Sequence, residues 1–145
     1  MADAKKRDIY TRLLAGSVWG SEFCKANPRA AAQITYEARP ALQQLISAQV
    51  ALTSMMQLAS GYSVFRRQTP HLYGWHDSGA WNRYLNAIAK LGQTKTKLTV
   101  GQVLTNDLVR AANKRADVAG ARKAGKAYKL NSIFKNTKVP PGYPL

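Results

Sequence analysis

Acidic residues are scarce in this chain. Its 145 residues include 7 Asp and Glu against 22 Lys and Arg, a formal net charge of +15. No two carboxylates stand at a spacing useful for acid–base catalysis, and no glycine-rich phosphate loop follows a strand. His71 and His76 have no Cys or third His nearby to complete a zinc site. We therefore expect a protein that is not an enzyme, with no catalytic residues, no metal and no cofactor.

Cysteine is nearly absent as well, since Cys24 is the only one. A single cysteine cannot form an internal disulfide, so nothing here indicates an oxidising compartment. Cys24 follows Phe23 on an apolar helix stripe, which is typical of a small buried hydrophobe rather than a nucleophile. The apolar run of a signal peptide is also missing, because Arg12 interrupts it. With no export signal we expect a cytoplasmic protein by default.

Charge of either sign is missing between Pro40 and Phe65, so a membrane span must be considered. Glutamines at 43, 44, 49 and 57 would make such a span poorly hydrophobic. A core helix over residues 41–60 fits better. It would bury a set of apolar side chains: Leu42, Leu45, Ile46, Leu52, Met56 and Ala59.

Helix signals recur along the chain, and no alternating strand-like run precedes residue 98. Residues 4–25 read as an amphipathic helix, and Asn27-Pro28 is a typical helix start with Asn as the N-cap. Asp77 or Ser78 caps a further helix, which Gly92 ends. Its apolar stripe, Trp81, Tyr84, Leu85 and Ile88, is predicted to pack on helix 41–60 with Trp81 as a core anchor.

The last clear helix is predicted to begin at Thr105 or Asn106. Beyond it, Gly120 and Gly125 weaken any helix, and the chain ends in a proline-rich stretch. The sequence thus predicts an all-α fold of about five helices. Residues 1–119 would form one compact helical domain, followed by a basic, extended tail over residues 120–145.

The excess of positive charge implies an anionic partner. We expect a larger protein assembly with an acidic surface, with nucleic acid and an anionic membrane surface as alternatives, and no small-molecule ligand for the isolated chain. The candidate partner-binding residues are the basic ones near the two ends and in the loop after residue 65, together with one apolar anchor: Lys5, Lys6, Arg7, Arg66, Arg67, Arg122, Lys123, Lys126, Lys129, Lys135, Lys138 and Phe134.

Two stretches resemble a known family. One contains Phe23, Cys24, Ala26, Asn27, Pro28, Ala30 to Ala32, Ile34, Tyr36, Glu37, Ala38 and Pro40. The other reads W-x-D-x-x-A-W-x-x-Y-L from Trp75, then L-G-Q at Leu91 and L-T-N-D-L at Leu104. In this order they resemble the C-terminal helical region of periplasmic solute-binding proteins of ABC transporters, the nitrate, sulfonate and thiamine-precursor type.

The resemblance covers about residues 8–116. It implies descent from such a protein. If the resemblance extends to location, it also implies that this protein is periplasmic. The strands of the family's two lobes and the ligand cleft between them have no counterpart here, so no ligand-contacting residue carries over. Three hypotheses follow: a non-enzymatic helical accessory subunit that binds an acidic partner, a basic protein that contacts nucleic-acid phosphates non-specifically, or a partial solute-binding protein.

Overall fold

The computed structural model describes residues 3–65 and 71–143, and in these ranges the secondary structure is helical, with no strand. The prediction of an all-α fold is confirmed. The described residues form nine helices rather than about five: α1 Ala4–Ala26, α2 Pro28–Glu37, α3 Pro40–Leu45, α4 Ala48–Phe65, α5 Ser78–Lys90, α6 Val100–Val103, α7 Asp107–Arg115, α8 Val118–Ala127 and α9 Ser132–Asn136.

Helix α1 is the centre of the fold. Its most extensive packing is against α7 and α8, and Phe23 and Cys24 near its C-terminal end pack with residues of α2 and α4. Helix α8 approaches closely because Gly125 is buried there; a Cβ atom at this position would lie 3.0 Å from the carbonyl oxygen of Phe23. The glycine expected to weaken this segment is therefore what lets the two helices pack.

Helix starts follow the predicted caps. The Asn27 side chain accepts a hydrogen bond from the Ala30 N–H at 3.0 Å, and the Asp77 carboxylate accepts one from the Ala80 N–H at 2.6 Å. Gly92 follows the last residues of α5 with a φ of 69°, a conformation that glycine adopts without strain. These three boundary predictions are confirmed.

The core forms two adjoining clusters of buried side chains. One contains Phe23, Cys24, Ala30, Ala31 and Ala59. The other contains Ala32, Leu52, Met56 and Phe134. The Phe134 ring packs edge-on against the Tyr36 ring, with the ring centroids 5.6 Å apart. Because many core residues are alanines, the helices around α1 and α2 lie close to one another.

The predicted single helix over residues 41–60 is divided. Helix α3 ends at Leu45, Ile46 is extended, and α4 begins at Ala48 and continues past Gly61 to Phe65. Of the side chains predicted to be buried, Leu52, Met56 and Ala59 are buried, whereas Leu45 is exposed. No helix in the part of the chain that the structure describes is long and apolar enough to cross a membrane.

The predicted extended tail is instead partly helical and packed on the core, and the boundary at residue 119 falls inside α8. The Arg29 guanidinium donates hydrogen bonds to the carbonyl oxygens of Phe134 and Thr137, both at 2.6 Å. The Gln49 side chain donates to the carbonyl oxygen of Lys138 at 2.9 Å. The segment is therefore packed against a surface that α2 and α4 provide.

Trp81 is not a core anchor. Helix α5 packs on α6, and no comparable packing against α4 occurs in the described residues. Trp81 is half-buried, its indole N–H donates to Nδ1 of His76 at 3.3 Å, and Tyr84 beside it is exposed. Only Leu85 of the predicted stripe is fully buried. Periodicity identified an amphipathic helix correctly but could not identify what covers it.

Candidate functional site

The few carboxylates of this chain serve its own fold, several of them as helix caps. Asp3, Asp77 and Asp117 accept backbone N–H hydrogen bonds at the starts of α1, α5 and α8. Asp107 lies in the first turn of α7, where a negative charge is favourable to the helix dipole.

The remaining carboxylates bind side chains. Asp8 pairs with Arg12 at 3.0 Å and with Arg115 at 2.7 Å. The Glu37 carboxylate accepts hydrogen bonds from the side-chain amides of Gln33 and Asn131.

Glu22 holds a buried polar network between α1, α8 and the segment after residue 70. Its side chain is 1% exposed. One carboxylate oxygen accepts a hydrogen bond from the Tyr73 hydroxyl at 2.7 Å, and the other accepts one from Nε of Arg122 at 2.5 Å. This bond and the charge of Glu22 raise the pKa of Arg122 above its ordinary value. Arg122, a candidate partner-binding residue, therefore has a structural role.

The lysines differ from Arg122 in this respect. Across residues 3–65 and 71–143 no lysine forms an ion pair, and six of the seven carboxylates are engaged with helix ends, arginines, a hydroxyl or amides. A carboxylate that is held at a helix N-terminus cannot also form an ion pair with a distant lysine. The positive charge of the lysines thus remains on the surface, where it is available to an external anion.

The structure brings basic residues from two distant parts of the chain together. Arg115, at the end of α7, bonds to Asp8 in α1, so the last turn of α7 lies beside the first turns of α1. We call this exposed group the basic end, and it consists of Lys5, Lys6, Arg7, Arg12, Lys114 and Arg115. The sequence predicted its first three members. It could not predict the last two as neighbours, because a tertiary contact between Asp8 and Arg115 leaves no local pattern.

The other predicted site residues are dispersed. Exposed lysines occur on α8, on α9 and in the segments after them: Lys123, Lys126, Lys129, Lys135 and Lys138. Arg66 and Arg67 lie outside the described residues. Phe134 is 1% exposed, so its predicted role as a docking anchor is corrected to that of a core residue.

A groove of about 670 Å³ lies between α1, α7 and the segment before α5. Its lining is mainly apolar and aromatic: Leu14, Val18, Leu72, Tyr73, Trp75, His76, Leu108, Val109 and Ala112, with hydroxyls from Ser17, Ser21 and Thr105. The Ser17 and Ser21 hydroxyls donate to backbone carbonyl oxygens one turn earlier. Sequence reasoning missed this groove because its walls come from three separate parts of the chain.

Two asparagines hold the third wall of the groove, residues 71–76, in place: Asn113 within α7 and Asn106 at its N-cap. Asn113 accepts a hydrogen bond from the Tyr73 N–H at 3.0 Å and donates one to the Tyr73 carbonyl oxygen at 2.9 Å. Asn106 does the same for His76, at 3.0 and 2.9 Å. Each side-chain amide thus satisfies both the N–H and the carbonyl group of one residue, as a neighbouring β-strand would. These hydrogen bonds hold the irregular backbone in place. The Arg110 guanidinium lies over the Trp75 ring, 4.7 Å from its centroid.

Cys24, the only cysteine in the sequence, is buried and free. Burial raises the pKa of the Cys24 thiol to about 11, so it stays protonated and unreactive at neutral pH. No cluster of three or more His, Cys, Asp or Glu side chains suited to a metal ion occurs in the described ranges.

Comparison with known proteins identified no similar protein. The chain matches no protein-family model, and searches of curated proteins and of solved structures found no significant match. The resemblance to solute-binding proteins therefore stays a prediction.

Proposed function

We propose that this protein is a non-enzymatic helical accessory protein, derived from an ABC-transporter solute-binding protein, that binds an acidic protein partner through its basic end. One observation carries the binding proposal. Six of the seven carboxylates accept hydrogen bonds or form ion pairs within the fold, while no described lysine has an ion pair. The charge of these lysines is thus not compensated by an ion pair within the fold, and an acidic surface supplies that compensation at short range.

The position of the charges supports the same proposal. Lys5, Lys6 and Arg7 lie in the first turns of α1, where the helix dipole disfavours positive charge. Asp3 caps the helix, but no acidic residue lies in its first turn. These cations therefore do not stabilise their own helix, and their clustering with Arg115 fits contact with a partner.

The test measures binding of labelled probes by fluorescence anisotropy. The probes are a poly-glutamate peptide and a DNA duplex. One variant replaces Lys5, Lys6 and Arg7 with glutamine. The matched control makes the same change at Lys90, Lys95 and Lys97, which lowers the charge equally at the exposed end of α5 and the loop after it.

We expect the wild type to bind poly-glutamate, with an affinity that falls as salt is raised, because exposed charges are screened within about 8 Å at physiological ionic strength. The basic-end variant should bind at least about tenfold more weakly, a change of about 1.4 kcal/mol, and the control less than about twofold. Equal losses in both variants would mean that only net charge matters.

The two alternatives give different outcomes. Tighter binding to DNA than to poly-glutamate at equal salt would favour the nucleic-acid hypothesis, since phosphate contacts dominate such binding. A saturable calorimetric signal with nitrate, a sulfonate or a thiamine precursor would favour a partial solute-binding protein and contradict our proposal.

A further inference from the structure

We propose that the groove between α1, α7 and residues 71–76 binds an amphipathic helix of an acidic partner protein. This inference rests on the proposed function and specifies how the partner docks: its apolar stripe lies in the groove and its carboxylates face the basic residues around the rim.

The apolar surface continues beyond the groove along α1. Tyr10 and Leu13 lie one turn before the groove residues Leu14 and Ser17, at the i and i+4 spacing that stacks side chains on one helix face. Leu13 is 65% exposed although it stands in the middle of a long helix. From Tyr10 to Ser21 this face spans about 16 Å, or three helical turns, at about 1.5 Å per residue.

Several hydroxyl groups that line the groove already have hydrogen-bond acceptors within the protein. The hydroxyls of Ser17 and Ser21 already donate to α1 carbonyl oxygens, and the Tyr73 hydroxyl donates to Glu22. A partner therefore needs apolar side chains here rather than polar ones. An apolar groove is the kind of site that amphipathic helices enter with anchors at i, i+3, i+4 and i+7.

The groove is also preformed. The hydrogen bonds from Asn106 and Asn113 fix the backbone at Tyr73 and His76 on both its donor and its acceptor side. Binding to a wall that is already ordered avoids the cost of ordering it.

Charge decides between possible occupants. Lys6 lies on α1 one turn before Tyr10, at the far end of the exposed apolar face, and Arg110 covers the Trp75 ring at the α7 side of the groove. A second copy of the chain would bring a net charge of +15 against the same charge. An acidic helix matches the cations at the rim and the apolar floor together.

The test uses a synthetic 18-residue helical peptide with a leucine stripe flanked by glutamates, labelled for anisotropy. A second peptide carries lysines in place of the glutamates, and vesicles containing phosphatidylserine provide an anionic membrane. The protein variant is Leu13→Asp. Its control is Leu45→Asp, which makes the same change at a leucine that is 77% exposed on α3, away from the groove.

We expect the acidic peptide to bind and the lysine peptide not to bind. Leu13→Asp should weaken binding by about tenfold or more, as loss of an interface anchor does, and Leu45→Asp by less than about twofold. In NMR spectra the peptide should shift the indole signals of Trp75, which lines the groove, more than those of Trp19, which does not line it.

Absence of peptide binding, or equal effects of the two aspartates, would overturn the inference. Binding to vesicles that depends on Leu13 while the peptide fails to bind would overturn it in favour of a membrane surface. If poly-glutamate still binds through the basic end, the proposed function survives this failure. If neither acidic probe binds, both proposals are wrong.

Discussion

Removal of the Phe134 ring tests whether the C-terminal segment belongs to the core. Phe134 is 1% exposed and packs with Ala32, Leu52 and Met56, so Phe134→Ala empties an aromatic site inside a closed cluster. Such substitutions cost about 3–5 kcal/mol, the lost transfer energy plus the cavity left behind. Domain stabilities are about 5–15 kcal/mol, so much of the total would be lost. At about 3–4 °C per kcal/mol for this size, the melting temperature should fall by about 10–20 °C.

The assay is urea unfolding followed by circular dichroism at 222 nm. The control is Ile133→Ala, the adjacent residue of the same short helix, which is 58% exposed. It should cost less than about 1 kcal/mol, since surface substitutions change little. If Phe134→Ala also costs less than about 1 kcal/mol, the segment does not pack as described and the extended-tail prediction would be restored.

Three further predictions concern close packing, a cap and the thiol. Gly16→Ala and Gly125→Ala share the same gain in helix propensity, but only the second meets neighbouring atoms, so the two unfolding free energies should differ by about 1–3 kcal/mol. Asn27→Ala removes both a cap and a hydrogen bond to the Gly125 carbonyl oxygen, so in urea melts it should cost about 2 kcal/mol, against about 1 for the single cap lost in Asp77→Ala. Because burial raises the pKa of Cys24 to about 11, an aromatic disulfide reagent at pH 8 should react only slowly with the folded protein and fully in guanidinium; a fast reaction would mean that the thiol is accessible.

Local signals in the sequence located several helix boundaries because capping is a short-range effect. Asn27 and Asp77 bond to N–H groups three residues ahead, so the residue type and its spacing contain the information. The same reasoning missed α8. It weighed the low helix propensity of glycine, whereas the buried position of Gly125 against α1 decides the outcome. Propensity is a weak prior that tertiary packing overrides.

The candidate site was harder to predict than the helices. The basic end joins Asp8 to Arg115, and the groove joins α1 to α7 and to residues held by Asn106 and Asn113. These contacts cross much of the chain and have no periodicity. The count of carboxylates was visible in the sequence, but that most of them cap helices or bind side chains of the fold could be established only from the structure.

The adjacent residues Arg122 and Lys123 allow a direct test of whether some cations stabilise the fold while others only contribute surface charge. Arg122→Gln removes one partner of the buried Glu22 carboxylate. A hydrogen bond to a charged group contributes about 1.5–3 kcal/mol, and Arg122 is itself half exposed, so we expect a loss near about 1.5 kcal/mol.

Lys123→Gln removes the same charge one residue later, where no ion pair forms, and should change stability by less than about 0.5 kcal/mol. Because each variant lowers the net charge by one, their effects on long-range attraction to poly-glutamate should be equal and small. Urea melts and anisotropy titrations on the same two proteins separate these quantities. If Lys123→Gln destabilised the protein as much as Arg122→Gln, the Glu22 contact would not explain the loss, and the structural role given to Arg122 would be wrong.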